Sequence, residues 1–204
     1  MNEFDNKAKD WDKNQLHIWR SEAIANEMVN RIPITDDMTA LEYGAGTGLL
    51  SFFLKDKFSN ILLMDNSLEM IRVTESKIIK SGTRNMKTLW IDLEKEEYDG
   101  RFDVIYNQMV LHHVENIGLI FNKFYGLIKP GGYLAIADLY LEDGSFHGKG
   151  FNGHHGFDVD QLTHQLEKHA FKHIVTKPCF SLKQENERGE VREYPIFLLT
   201  ANKD

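Results

Sequence analysis

The sequence predicts an α/β fold organised as a doubly wound, mostly parallel sheet, and three observations lead there. Short apolar runs alternate with helical patterns along most of the chain. Those runs are apolar throughout rather than at every second residue, as in strands covered on both faces. The third observation is the stretch Ala40 to Leu50, ALEYGAGTGLL, in which three glycines stand at alternate positions between an apolar run and a helical one. Glycine costs entropy in a regular element, so such a cluster marks a sharp bend that passes close to something.

The elements follow in order. After a polar N-terminal stretch, LHIWRSEAIANEMVNRI places Ile18, Ile24, Met28 and Ile32 near helical spacing, and this helix stops before Pro33. MTALEY, NILLMD, MKTLWID, FDVIYNQ and GGYLAIADLY read as strands. The clearest intervening helix runs from Asn116 to Ile128, where Ile117, Ile120, Phe121, Phe124 and Leu127 share one face ahead of the breaker PGG. Asp158 with Gln161 resembles a capping box, and Phe157 with Leu162 a hydrophobic staple, at the start of a further helix. FKHIVTKPCFSL and REYPIFLLTANK flank the polar, glycine-containing KQENERGEV, which reads as a hairpin and adds an antiparallel pair. The expected architecture is one domain over residues 1–204 with seven strands. It divides into an N-terminal cap and helix (1–33), a ligand-binding core (38–140), a Gly/His-rich loop (141–157) and a C-terminal helix with the hairpin (158–204).

Composition narrows the partners. A net charge of −7 over 204 residues works against long-range attraction to nucleic acid or anionic lipid, so a small-molecule partner is expected. Cys179 is the single cysteine, which rules out an internal disulfide or a cysteine zinc cluster and fits a cytoplasmic location. No stretch reaches the roughly 18 uninterrupted apolar residues of a membrane span. Oligomeric state is not readable from these features.

In a doubly wound sheet the ligand lies at the carboxyl ends of the strands, where glycine turns and helix N-termini present backbone N–H groups. A phosphate loop of the GxxxxGK[ST] type needs a lysine after its last glycine, and Leu49 follows Gly48. A dinucleotide GxGxxG fingerprint is off by one residue, because Gly44, Gly46 and Gly48 give GxGxG. What they match, with Glu42, is the E/DxGxGxG signature: the chain resembles the class I S-adenosylmethionine-dependent methyltransferases. LLMDNSLEMI, LWIDLE, FDVIYNQMVLHHV and LIKPGGYLAIAD resemble the family's later motifs in register over residues 38–140. Two departures stand out. Tyr43 and Ala45 fill variable positions of the commoner LDxGCGTG form without removing a backbone contact, and YNQM replaces the [DNS]PP[YF] of nucleic-acid amine methylation. The likeness is to the small-molecule branch, which includes quinone-pathway enzymes.

The resemblance implies a Rossmann-like sheet, S-adenosylmethionine as cofactor and a set of contacts. Glu42 and the Asn107 region face the amino-acid end, Gly44, Gly46 and Gly48 form the cradle, Asp65 with Asn66 takes the ribose, and Met70, Asp92 and Leu93 hold the adenine. Trp11 and Trp19 are expected to cover the cofactor. Two rival functions stay open on the fold: a nicotinamide-dependent oxidoreductase, and a protein that binds S-adenosylmethionine without catalysis.

Five of nine histidines lie in two places, His112 and His113 after the fourth strand, and His147, His154 and His155 in the Gly/His-rich loop. They read as proton acceptors or substrate contacts, as metal ligands, or as loop polarity. His113 and His155 are the candidates for a catalytic base. No metal is expected, since adjacent histidines are not the i, i+4 pair of a helical zinc site.

Overall fold

The computed structural model describes residues 4–185 and 189–204. The expected hairpin tip at residues 186–188 lies outside them. Among the described residues, five α-helices and seven strands follow one another as α1 (Gln15–Arg31), β1 (Thr39–Tyr43), α2 (Leu49–Leu54), β2 (Asn60–Asp65), α3 (Leu68–Ser81), β3 (Met86–Trp90), β4 (Phe102–Gln108), α4 (Ile117–Leu127), β5 (Ile128–Leu139), α5 (Val159–Lys168), β6 (Lys172–Glu185) and β7 (Val191–Asn202). They form a seven-stranded sheet of order β3-β2-β1-β4-β5-β7-β6, in which β7 alone runs against its neighbours. The chain starts in the middle, winds out to β3 and returns to β4 beside β1. That reversal between β1 and β4 opens the crevice.

Alternate residues of each strand feed two apolar layers. Ala40, Leu63, Val104 and Ala137 pack against Ile24 and Met28 of α1 and Leu50 and Leu54 of α2. Leu41, Met64, Ile105 and Ile136 pack against Ile120, Phe121 and Phe124 of α4 and Leu166 of α5. The three α4 residues are fully buried, worth about 1.5–3 kcal/mol each in apolar area removed from water. Helix starts are capped as their residues dictate: Asn14, Ser67, Asn116 and Asp158 each accept a backbone N–H in the first turn. Among the described residues, no helix is long and apolar enough to cross a membrane.

The Gly/His-rich loop is tied down at its end and along its length. Leu141 N donates to Phe157 O and Phe157 N to Leu139 O, both at 2.9 Å, and His154 N donates to His112 O at 2.8 Å. The last bond lays this loop against the segment after β4. Gly156 makes the closure possible: its φ is +72°, and a Cβ there would sit 2.1 Å from Tyr140 O. Gly156→Ala is expected to destabilise the fold by about 1–3 kcal/mol, read from the midpoint of denaturant unfolding. An unchanged midpoint would show that the loop closes without this constraint.

Candidate active site

The three glycines after β1 hold positive φ values of 65°, 54° and 76°, for different reasons. A Cβ on Gly44 would strike Val110 at 2.5 Å, and one on Gly48 would strike Leu63 at 2.8 Å, so both are held by packing. At Gly46 the nearest atom is Met70 Sδ at 3.9 Å, and the residue faces a cavity of about 240 Å³. Its N–H donates to Asp65 Oδ2 at 2.7 Å, while Asp65 Oδ1 accepts from Ser67 N at 2.8 Å. Burial raises the Asp65 pKa against these amide bonds, and each oxygen keeps a lone pair for a further donor.

Gly44, Gly46, Asp65, Asn66 and Met70 line this cavity together, and so does His113. The sequence did not point to Arg20, Gln108 or Met109, which also line it. Gln108 ends β4 and is hydrogen-bonded to Ser21 of α1 at 3.0 Å, and Met109, next along, holds a left-handed φ of 54°. Arg20 is only 6% exposed, and its Nε has no hydrogen-bond partner among the described residues. Burial lowers its pKa to about 10, with Asp138 opposing, so it remains a cation at neutral pH. A buried cation on α1 was legible only as one more helical residue.

The N-terminal segment closes the cavity from above. Asp12 accepts from Thr47 Oγ1 and from Lys77 Nζ, both at 2.5 Å, and Asp5 accepts from Ser67 Oγ at 2.6 Å. These bonds hold Phe4, Lys7 and Trp11 in the cavity wall. Trp19 does not join them: it is 53% exposed, because the inward stripe of α1 runs through Arg20, Ser21, Ile24 and Met28.

Several of the expected residues are not in the lining of this cavity. Glu42 is wholly buried under the glycine turn, where Ser51 N and Oγ donate to its Oε2 and Tyr106 lies 2.7 Å from Ser51 Oγ. Gly48 starts α2, away from the cavity wall. Leu93 belongs to the core with Leu41 and Met64. Asp92 sits in the turn after β3, bound to Lys95 Nζ at 2.7 Å and to Glu94 N at 3.1 Å. Asn107 is buried with neither amide atom partnered among the described residues. It faces the α4 side of the sheet, opposite to Gln108.

The histidines divide sharply. His112, His113 and His147 converge in the cavity wall, whereas His154 bonds Val114 O at 3.1 Å and His155 lies 3.4 Å from Glu142 Oε1, both outside it. His112 Nδ1 is 2.6 Å from Asp138 Oδ1, in a fully buried pair. Burial, with His112 and His147 alongside, pushes His113 down to about 3, and burial with His112 pushes His147 to about 4. At neutral pH both are uncharged weak bases. The expected base roles of His113 and His155 therefore meet two obstacles, low basicity in one and position in the other.

A family model described as methyltransferase domain matches residues 34–192, and the chain belongs to that family. It is 28% identical over 146 residues to an uncharacterized methyltransferase of Schizosaccharomyces pombe, covering 68% of this chain and 51% of that one. It is 24% identical over 162 residues to phosphoethanolamine N-methyltransferase 1 of Zea mays, covering 74% and 31%. The chain thus spans about half or less of the length of these curated relatives. A SAM dependent methyltransferase from Aquifex aeolicus has the same fold, with a TM-score of 0.70, 19% identity and 98% of each chain covered. The resemblance to class I methyltransferases holds, and S-adenosylmethionine is the cofactor. The nicotinamide reading falls with it.

Glu42 offers a measurable consequence of its burial, which raises its pKa from 4.5 to about 8. The folded state then keeps this proton longer than the unfolded chain does. Its favourable contribution is complete below about pH 4.5 and is lost as pH rises to about 8. Unfolding free energies of the parent and Glu42→Gln should diverge across that window by up to about 1.4 kcal/mol per pH unit. Parallel pH profiles would mean that Glu42 ionises as an exposed carboxyl does.

Proposed function

We propose that this chain transfers the methyl group of S-adenosylmethionine to a small-molecule acceptor. The observation that carries the reading is that one cavity of about 240 Å³ joins the cofactor-side residues Gly46, Asp65 and Met70 to a polar wall of Arg20, Gln108 and histidines. The N-terminal segment covers it, which suits a small acceptor better than a macromolecular one. The bound cofactor supplies a methyl group already activated by its positive sulfur. The chain's work is to orient, to exclude water and to manage a proton.

Asp65, held by two amides, accepts the ribose hydroxyls, and Asn66 and Met70 border the nucleoside. Asp92, in the turn after β3, borders the adenine, sharing its carboxylate with Lys95, whose side chain is largely exposed, and Leu93 supports that turn from the core. Glu42 acts from beneath by fixing the start of α2 through Ser51. Arg20, with its unpartnered Nε, binds a carboxylate or another anionic group in the cavity. Asn107 offers an unpartnered amide at the end of β4.

Asp65→Ala should weaken S-adenosylmethionine binding by about 1.5–3 kcal/mol in calorimetry, the loss of hydrogen bonds to a charged acceptor. Unchanged affinity would remove Asp65 from the site. Turnover of a metabolite panel by the parent separates an enzyme from a protein that only binds the cofactor. His155→Gln should leave that turnover within about twofold, because its ring lies outside the cavity wall.

A further inference from the structure

We propose that His112, His113 and His147 form a binding site for a divalent transition-metal ion, with zinc as the best match, in the wall of the same cavity. One nitrogen from each ring lies within 4.8 Å of the other two. Bonds of about 2.0–2.1 Å to a tetrahedral ion place ligand nitrogens about 3.3 Å apart, so the set closes by roughly 1.5 Å at most. His147 is placed to make that adjustment, on a short loop between Gly144 and Gly148, both at positive φ.

Two further observations point to an ion. The first is the support behind His112: Asp138 accepts from its ring at Nδ1, at 2.6 Å, which leaves Nε2 as the ligating atom. Asp138 also accepts from Leu139 N at 2.8 Å, so the carboxylate is itself fixed. A carboxylate behind a histidine in this way orients the ring and raises its basicity toward a metal. The second is His147 Nε2, which is buried and has no hydrogen-bond partner among the described residues. A buried ring nitrogen without a partner is costly unless something else binds it.

Three imidazoles from one side leave the remaining coordination position open to the cavity, the pattern of a catalytic rather than a structural zinc site. Asp138 offsets part of the ion's charge, and Arg20 and Lys7 in the same wall favour an anionic ligand in the open position. For methyl transfer the consequence is specific. An acceptor O–H or S–H coordinated there loses its proton to solvent more readily, and its freed lone pair attacks the methyl carbon as the carbon–sulfur bonding pair returns to the cofactor's sulfur. Such a step needs no histidine base. The role rests on the methyltransferase reading; the site itself does not.

The test is a cobalt(II) titration of the untagged, metal-stripped chain, followed by visible absorption and by competition with zinc. One equivalent should produce the d–d bands of a low-symmetry nitrogen site, and zinc should abolish them. His113→Gln and His147→Gln, whose side chains are only partly buried, should each lose at least tenfold in cobalt affinity at unchanged melting temperature, and Asp138→Asn roughly ten- to a hundredfold. His164→Gln, on an exposed position, should titrate as the parent. No stoichiometric band in the parent, or equal affinity in the His113 and His147 variants, would overturn the site. S-adenosylhomocysteine affinity measured on the same samples keeps the two readings apart: its absence counts against methyl transfer, while the cobalt result alone decides the site.

Discussion

The carboxylate of Asp65 joins three parts of the molecule that would otherwise be independent. One oxygen takes the Gly46 N–H across 19 residues, and the other takes Ser67 N, the cap of α3. Ser67 Oγ in turn reaches Asp5 of the N-terminal segment. The glycine turn, the start of α3 and the cover of the cavity therefore share a single anchor at the end of β2. Its burial raises the cost of the charge, and the two amides offset that cost. An acidic residue there is structural and ligand-facing at once.

A second buried carboxylate organises the opposite wall. Asp138 lies one residue before the end of β5 among apolar residues and is fully buried, yet it holds His112 and faces the charge of Arg20. Removing either partner would leave an uncompensated charge in a low-dielectric interior, which costs far more than a surface pair. The cavity thus has an acidic anchor on each side of the β1–β4 switch, one for the donor side and one for the histidine side. The bond from His154 N to His112 O brings the loop after β5 into the same wall.

Local pattern made the architecture legible. Strands apolar on both faces, helices with one apolar face and capped starts all follow from neighbours in sequence, and α4 is within a residue of the span its periodicity defines. Glycine spacing made the cradle legible as well, because a positive φ is a local property. The wall of the cavity was not legible in this way. Arg20 and Trp19 are adjacent in sequence, yet one is buried beside the crevice and the other exposed, which depends on how α1 is rotated onto the sheet. Leu93 and Asp92 follow a strand as ligand contacts should, but the turn carries Leu93 into the core.

The sequence by itself determined the α/β class, the order of the strands along the chain, the glycine cradle and Asp65, because each rests on contacts within a few residues or on one motif. The tertiary structure alone decided which histidines meet. His112 and His113 are separated from His147 by the whole of α4 and β5, and only the packing of the loop after β5 against the segment after β4 brings the three rings together. Proximity of that kind comes from the sheet order and the closure at Gly156, and neither is a property of the residues taken one segment at a time.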